Sequence, residues 1–292
     1  MLDLSYRTEG EDAEGEHVMS MNRRQFLRLV GVSTVAGIGG TAVFSGLRNK
    51  GLEAVQTMPD PRALTAKRWG FVVDISKLQT DEDYQKCIDA CHDIHNVPDM
   101  SSLPAELQKR QEVKWIWKDT FEHTFPTAPE DEYQNSELKE KNFFLFCNHC
   151  AEPACVRVCP TKATFKRKDG IVMQDMHRCI GCRFCMAACP FAARSFNWRD
   201  PRPFIKPGKE NKEFPTRMIG VVEKCTFCYE RLAKGMKPAC VEASNGAIVF
   251  GDLEDPNSEV RKIIATKYTI RRKPELGTQP GIYYVIGGGE HA

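Results

Sequence analysis

Charge of one sign is what this sequence has least of. Lys plus Arg number 41 against 39 for Asp plus Glu, a formal net charge of +2 over 292 residues, spread along the chain rather than gathered in one block. That excludes the basic stripe with which a nucleic-acid-binding protein neutralises phosphates, so no nucleic acid is expected as a partner. The chain also lacks a phosphate-cradling glycine loop and a Ser/His/Asp constellation. Its Gly287-Gly288-Gly289 run has no strand-turn-helix context and reads as a flexible end. Hydrophobic residues make up 41% and charged residues 27%, enough to build one or two cores, which excludes disorder as the main state. What is present in excess is cysteine. Of thirteen, twelve fall in short repeated spacings, which suits metal ligation better than a disulfide framework.

Greasy runs are scarce as well. After a polar, acidic start, Met21-Asn22-Arg23-Arg24-Gln25-Phe26-Leu27-Arg28 gives way to an uncharged run from Leu29 to Leu47 that holds five glycines, Gly31, Gly37, Gly39, Gly40 and Gly46. That is the layout of a twin-arginine export signal, which is less apolar than a Sec signal. The alternative is an ordinary spanning helix preceded by two chance arginines, since the run is about the minimum length that crosses a bilayer. Residues 1–48 are therefore expected to be a signal or anchor, and the protein to be periplasmic or otherwise extracytoplasmic and membrane-associated. No Ala-x-Ala cleavage site follows before Met58, so the segment is expected to stay on as an anchor. Export in the folded state lets cysteines leave the cytoplasm already bound to metal rather than as disulfides.

From Cys179 the chain reads CIGCRFCMAACP, which places Cys179, Cys182, Cys185 and Cys189 at C-x2-C-x2-C-x3-C, closed by Pro190. This is the bacterial ferredoxin run: a tight turn with a small residue, Gly181, lets three thiolates converge on one cubane while the fourth serves a neighbouring cluster. Zinc, the alternative, takes two separated C-x2-C pairs and has no use for a third cysteine two residues on. Upstream, CNHCAEPACVRVCP supplies Cys147, Cys150, Cys155 and Cys159, the same motif with two residues inserted and closed by Pro160. The crossover rule assigns one cluster to Cys147, Cys150, Cys155 and Cys189, and a second to Cys179, Cys182, Cys185 and Cys159. His149 is not a Rieske ligand, because that chemistry needs two histidines; it is expected beside the site or on the surface.

The outer groups are incomplete. CTFC at Cys225 and Cys228 reaches Cys240 after an eleven-residue insertion, and Ser244 stands where a fourth cysteine belongs. KCIDACHDIHN keeps only Cys87 and Cys91, with Leu78 and Tyr84 where two earlier cysteines are expected. Under the same crossover, Cys225, Cys228, Cys240 and Cys91 complete a third cluster, whereas the fourth would need Leu78, Tyr84, Cys87 and Ser244. All three losses fall on that one site, which reads as abandoned as a unit. Three [4Fe-4S] clusters are expected as cofactors, with no catalytic residue. CIDACH misses the x2 spacing of c-type haem attachment, and His92 and His95 are expected to cap the Cys91 helix or face a partner.

Around the motifs lie strand-like runs at Trp69 to Ile75, Val113 to Phe121, Ala163 to Lys166 turning at Asp169-Gly170 into Ile171 to Gln174, Met218 to Val222 and Ala247 to Phe250. A helix is expected from an Asp255 cap, with Pro256 first, to about Lys267. Asp99 to Asn142 and Asp200 to Pro215 read as surface loops, either solvated or meeting partner subunits. The fold class is thus α+β: duplicated bacterial-ferredoxin-like [4Fe-4S] domains with long insertion loops. They fill residues 65–292, with the inner motif pair at 143–198, the outer pair at 69–98 and 218–252, and an insertion at 99–142.

Four ferredoxin-type groups, the strand WGFVVDI and the stretch CTFCYERLAKGMKPACVEASNGAIVFGDLEDPNSEV together resemble the four-cluster electron-transfer subunits of molybdopterin oxidoreductase and NrfC-type nitrite reductase membrane complexes, over roughly residues 65 to 270. Within that group the twin-arginine start, the reduced CIDACHDIHNVPD motif and the ending RRKPELGTQPGIYYVI look most like the DsrO family, the periplasmic iron-sulfur subunits of DsrMKJOP complexes in sulfur metabolism. That resemblance implies an electron-carrier subunit without its own substrate site. It implies as partners an NrfD-like, DsrP-like polytopic membrane subunit that interacts with quinone, a DsrJ-like multihaem cytochrome c and the other Dsr membrane complex subunits. The alternative within the class is the iron-sulfur subunit of a periplasmic molybdopterin reductase for polysulfide or nitrate. Outside it, the alternative is a zinc-binding scaffold.

Overall fold

All six residues of Trp69–Asp74 (β1) are buried, and the largest sheet is assembled about that strand. In the computed structural model, which describes residues 60–126 and 139–286, the further strands are β2 (Ile116–Thr120), β3 (Asn142–Phe146), β4 (Thr164–Lys166), β5 (Val172–Gln174), β6 (Ser195–Phe196), β7 (Val222–Glu223), β8 (Ile248–Asp252), β9 (Thr269–Ile270) and β10 (Ile282–Val285). The expected export segment and the triple-glycine end lie outside the described residues. Among the described residues no helix is long and apolar enough to cross a membrane.

The sheet runs β8-β1-β10-β9. β1 pairs antiparallel with β8, Phe71 opposite Phe250, and parallel with β10, Phe71 opposite Ile282. A strand buried on both faces needs apolar side chains on both, and β1 has them. Trp69, Phe71 and Val73 enter the main core, while Val72 packs with Leu253, Val260 and Val285 on the other face. Three two-stranded pairs, β2-β3, β4-β5 and β6-β7, complete the set. The β4-β5 hairpin turns at Gly170, whose φ of +82° is the left-handed conformation that glycine adopts without strain.

Several local expectations need correction. The helix placed from Asp255 begins later, at Glu259, and ends at Thr266 with Ser258 at its cap position. Asp255 instead caps a turn, its carboxylate accepting from the Asn257 N–H at 2.9 Å and its carbonyl from the Ser258 N–H. The stretch from Asp99 to Asn142 is no simple surface loop, since Val113, Trp115, Ile116, Phe121 and Phe125 are buried in the main core. The loop from Asp200 to Pro215 is pinned where it passes the Cys91 helix: the Asn96 side-chain amide donates to the carbonyls of Asn211 and Phe214, and the Asn211 amide donates to the Ile94 carbonyl.

Candidate metal centre

Each three-cysteine group starts from a strand or loop that dives into the core and ends on a short helix. Between the first and second cysteines of each group, the residue before the second cysteine is left-handed: His149 at φ +40°, Gly181 at +71° and Phe227 at +55°. A shared backbone shape at three places in the chain is what convergence of neighbouring thiols on one cluster requires. The third cysteines lie on the helices Ala154–Arg157, Phe184–Ala187 and Ala239–Ala243, and in the first and last of these a proline, Pro153 or Pro238, occupies the cap position. Proline costs nothing there, because the first amides of a helix have no internal acceptor.

The structure brings distant cysteines together. Cys147, Cys150, Cys155 and Cys189 line one cavity with Pro153, Phe191, Arg194 and Thr278. Burial, then the neighbouring Cys147, pushes the Cys150 thiol up to about 12. Cys91, on the helix Asp81–Ile94, lies among Cys228, Cys240 and Cys225. Burial first and these neighbours next drive its thiol well above the ordinary thiol range. In the remaining set the Cys185 thiol has Cys179 beside it, and the helices bearing Cys155 and Cys185 pack together. Cys159 follows the first of these helices, its Sγ accepting from the Thr164 N–H at 3.4 Å. Burial opposes ionisation of Cys159, but the Thr164 and Thr161 hydrogen bonds outweigh it and lower the thiol.

The sets also lie near one another. Cys155 of the first lies near Cys185 of the second, and Cys147 of the first lies near Cys225 of the third. The order in space is therefore second, first, third. Cys91, Cys225, Cys228 and Cys240 are all buried, whereas Cys159, Cys179 and Cys182 are partly exposed beside the exposed side chains of Ile180 and Phe184.

The four positions of the missing fourth site are packed core. Leu78, Tyr84, Cys87 and Ser244 are all buried. The Tyr84 hydroxyl donates to the Asn142 carbonyl at 2.6 Å and its ring packs on Phe144. The Ser244 hydroxyl donates to the Val241 carbonyl and accepts from the Ile248 N–H. Burial pushes the Cys87 thiol up to about 12, as it does that of Cys150, so its packing among Leu78, Tyr84 and Ser244 rather than its acidity sets it apart.

Of the histidines, His95 takes the expected cap position at the end of the Cys91 helix. Its Nδ1 lies 2.8 Å from the Cys91 carbonyl, its Nε2 pairs with Glu230 at 2.9 Å, and its ring stacks on Trp115. His149 is not a surface residue. It is buried, stacks on Phe227 with ring centroids 3.7 Å apart, and accepts the Val172 N–H at Nδ1. Sequence reasoning missed Arg194 and Lys224, both buried among the cysteines. Neither carries a spacing signal, because an isolated cation reads as surface.

Donor chemistry, burial and loop shape together define a multi-cysteine iron-sulfur protein. Residues 141–202 match the 4Fe-4S dicluster domain family. The chain is 37% identical over 293 residues to the "Hdr-like menaquinol oxidoreductase iron-sulfur subunit 1" of Archaeoglobus fulgidus, covering 92% of this chain and 100% of that protein. It is 35% identical over 239 residues to the "Menaquinone reductase, iron-sulfur cluster-binding subunit" of Nitratidesulfovibrio vulgaris, with 75% and 88% covered. Against Protein NrfC of Escherichia coli it is 32% identical over 271 residues, with 91% and 96% covered. The chain belongs to this family of iron-sulfur electron-transfer subunits of oxidoreductase complexes.

Proposed function

We propose that this chain relays single electrons through three [4Fe-4S] clusters between a membrane subunit that exchanges electrons with menaquinol and a multihaem cytochrome c, on the outer side of the membrane. The observation that carries this reading is the convergence of Cys91 with Cys225, Cys228 and Cys240, and of Cys189 with Cys147, Cys150 and Cys155, into sets that lie near one another. Such clusters supply one-electron redox states, and the protein sets their potentials through burial and hydrogen bonds. The chain's own part is to hold each set of four thiolates, keep water from the third set, and leave the second near the surface where a partner can dock.

The menaquinol and menaquinone named for two relatives support the quinone side. The finer reading is a DsrO-type subunit with duplicated ferredoxin-like domains, bound to a DsrP-like NrfD-type membrane protein and a DsrJ-like cytochrome. It rests on the reduced first motif and on the packed fourth site, which shortens the wire by one cluster. Purification of the tagged protein from membranes, with identification of what comes with it, tests this. A polytopic membrane subunit and a c-type cytochrome support it, and a molybdopterin subunit in their place contradicts it.

A further inference from the structure

Three cationic side chains are buried near the cysteines: Arg194 against the first set, Arg272 near Cys189 of that set, and Lys224 beside Cys225 of the third. Among the described residues none of them forms an ion pair with a carboxylate. Lys224 donates to the backbone carbonyls of Val172 and Cys225, and Arg272 Nε donates to the Thr124 carbonyl at 2.9 Å. A buried cation without a counter-charge is costly, because desolvation is not repaid. The anions that could repay it are the clusters, whose thiolates and sulfides carry net negative charge.

Arg194 is the best placed of the three. Its Nη1 donates to Gln174 Oε1 at 3.0 Å and to Thr164 Oγ1 at 3.3 Å, while Nη2 is buried without a partner. The guanidinium lines the cavity formed by Cys147, Cys150, Cys155 and Cys189. Through Thr164, whose N–H donates to Cys159 Sγ, it also reaches the second set. Burial works to strip its proton, yet the neighbouring Cys155, Cys185 and Cys147 outweigh this and hold the proton more tightly. Cys155 and Cys185, the two thiols that act on it most strongly, belong to different clusters.

We propose that Arg194 is the shared counter-ion of the two inner clusters, a positioning residue whose guanidinium raises the reduction potential of both while leaving the outer cluster unaffected. The inference rests on the cluster reading above. One electron entering an inner cluster adds one negative charge there. Arg194 stays protonated throughout, so no proton moves, and the reduced form gains the larger attraction.

The test is an anaerobic titration of the cluster-loaded protein with dithionite and mediators, followed by EPR, on the natural sequence, Arg194→Gln and Arg194→Lys. In Arg194→Gln, two of the three signals should need a reduced-to-oxidised driving ratio at least tenfold larger, about 59 mV lower for one electron, with the third unmoved. Arg194→Lys should keep all three within that tenfold. Iron content is measured on every sample. Full iron with unmoved midpoints in Arg194→Gln overturns the proposal, as does an equal shift of all three. Should Arg194→Gln lose iron, Arg194→Lys decides: full loading supports the charge role, and equal loss makes Arg194 a packing residue. Absence of iron from the natural protein would instead sink the cluster reading itself.

Discussion

Arg217 and Glu223 form an ion pair sealed from water, Nε to a carboxylate oxygen at 2.8 Å, with the two side chains 2% and 0% exposed. The same carboxylate accepts from Trp115 Nε1 at 2.7 Å and from the Asn197 side-chain amide at 2.5 Å. The Arg217 guanidinium donates in turn to the carbonyls of His95 and Asn96, just past the end of the Cys91 helix. Glu223 lies two residues before Cys225. The pair therefore ties the two stretches of the chain that supply the third cysteine set.

Removing one partner of a buried pair leaves the other charge uncompensated. Glu223→Gln should destabilise the cluster-loaded protein by about 3–5 kcal/mol, seen as a lower midpoint in thermal or denaturant unfolding. A change within about 0.5 kcal/mol, the scale of an ordinary surface substitution, would show that the pair does not hold the third set.

The two cysteines of the first group should behave differently. Cys91 lies with Cys225, Cys228 and Cys240, and Cys87 is packed where the fourth site is missing. Cys91→Ala should lose about four irons per chain and Cys87→Ala none. Equal losses would show the pairing to be wrong. Ser244→Cys alone should gain no iron, because Leu78 and Tyr84 still fill the space.

Gly181 sits between Cys179 and Cys182 at φ +71°, and a Cβ there would stand 2.5 Å from the Gly220 carbonyl oxygen. Gly181→Ala carries a left-handed cost of about 1–2 kcal/mol together with that clash. It should selectively deplete the second cluster, read as the loss of one EPR signal of three. Full retention of all signals would mean the turn does not need its present shape.

Stripping iron with a chelator under anaerobic conditions should cost more than the metal-sulfur bonds. Arg194, Lys224 and Arg272 would then be buried cations facing neutral thiols. The stripped chain should lose near-UV circular dichroism and cooperative unfolding, and a stripped chain that unfolds like the loaded protein would contradict the counter-ion role.

Much of the site is legible in the sequence because ligand spacing is a short-range property. Cys179, Cys182, Cys185 and Cys189 declare their chemistry within a dozen residues, and the crossover rule extends it across the chain. β1 and the β4-β5 hairpin are readable for the same local reason, from apolar runs and the Asp169-Gly170 turn. What is hidden depends on tertiary neighbours. Ile282–Val285 pairs with β1 from far along the chain, and Trp115 is covered by His95 and Phe214, which are remote in sequence. His149 has no local cue to its burial against Phe227. Arg194 reads as a surface arginine until the cysteines gather around it. The Asp255 helix start fails because Asp-Pro serves equally well as a turn, and here the turn wins with Ser258 at the cap position.

The most direct measurement is iron and acid-labile sulfide per chain on anaerobically prepared full-length protein, with EPR of the reduced form. Three clusters and a packed fourth site require about 12 of each per chain and three signals. A value of about 16 of each would mean that Leu78, Tyr84, Cys87 and Ser244 still surround a cluster, and zinc in place of iron would remove the protein from electron transfer altogether.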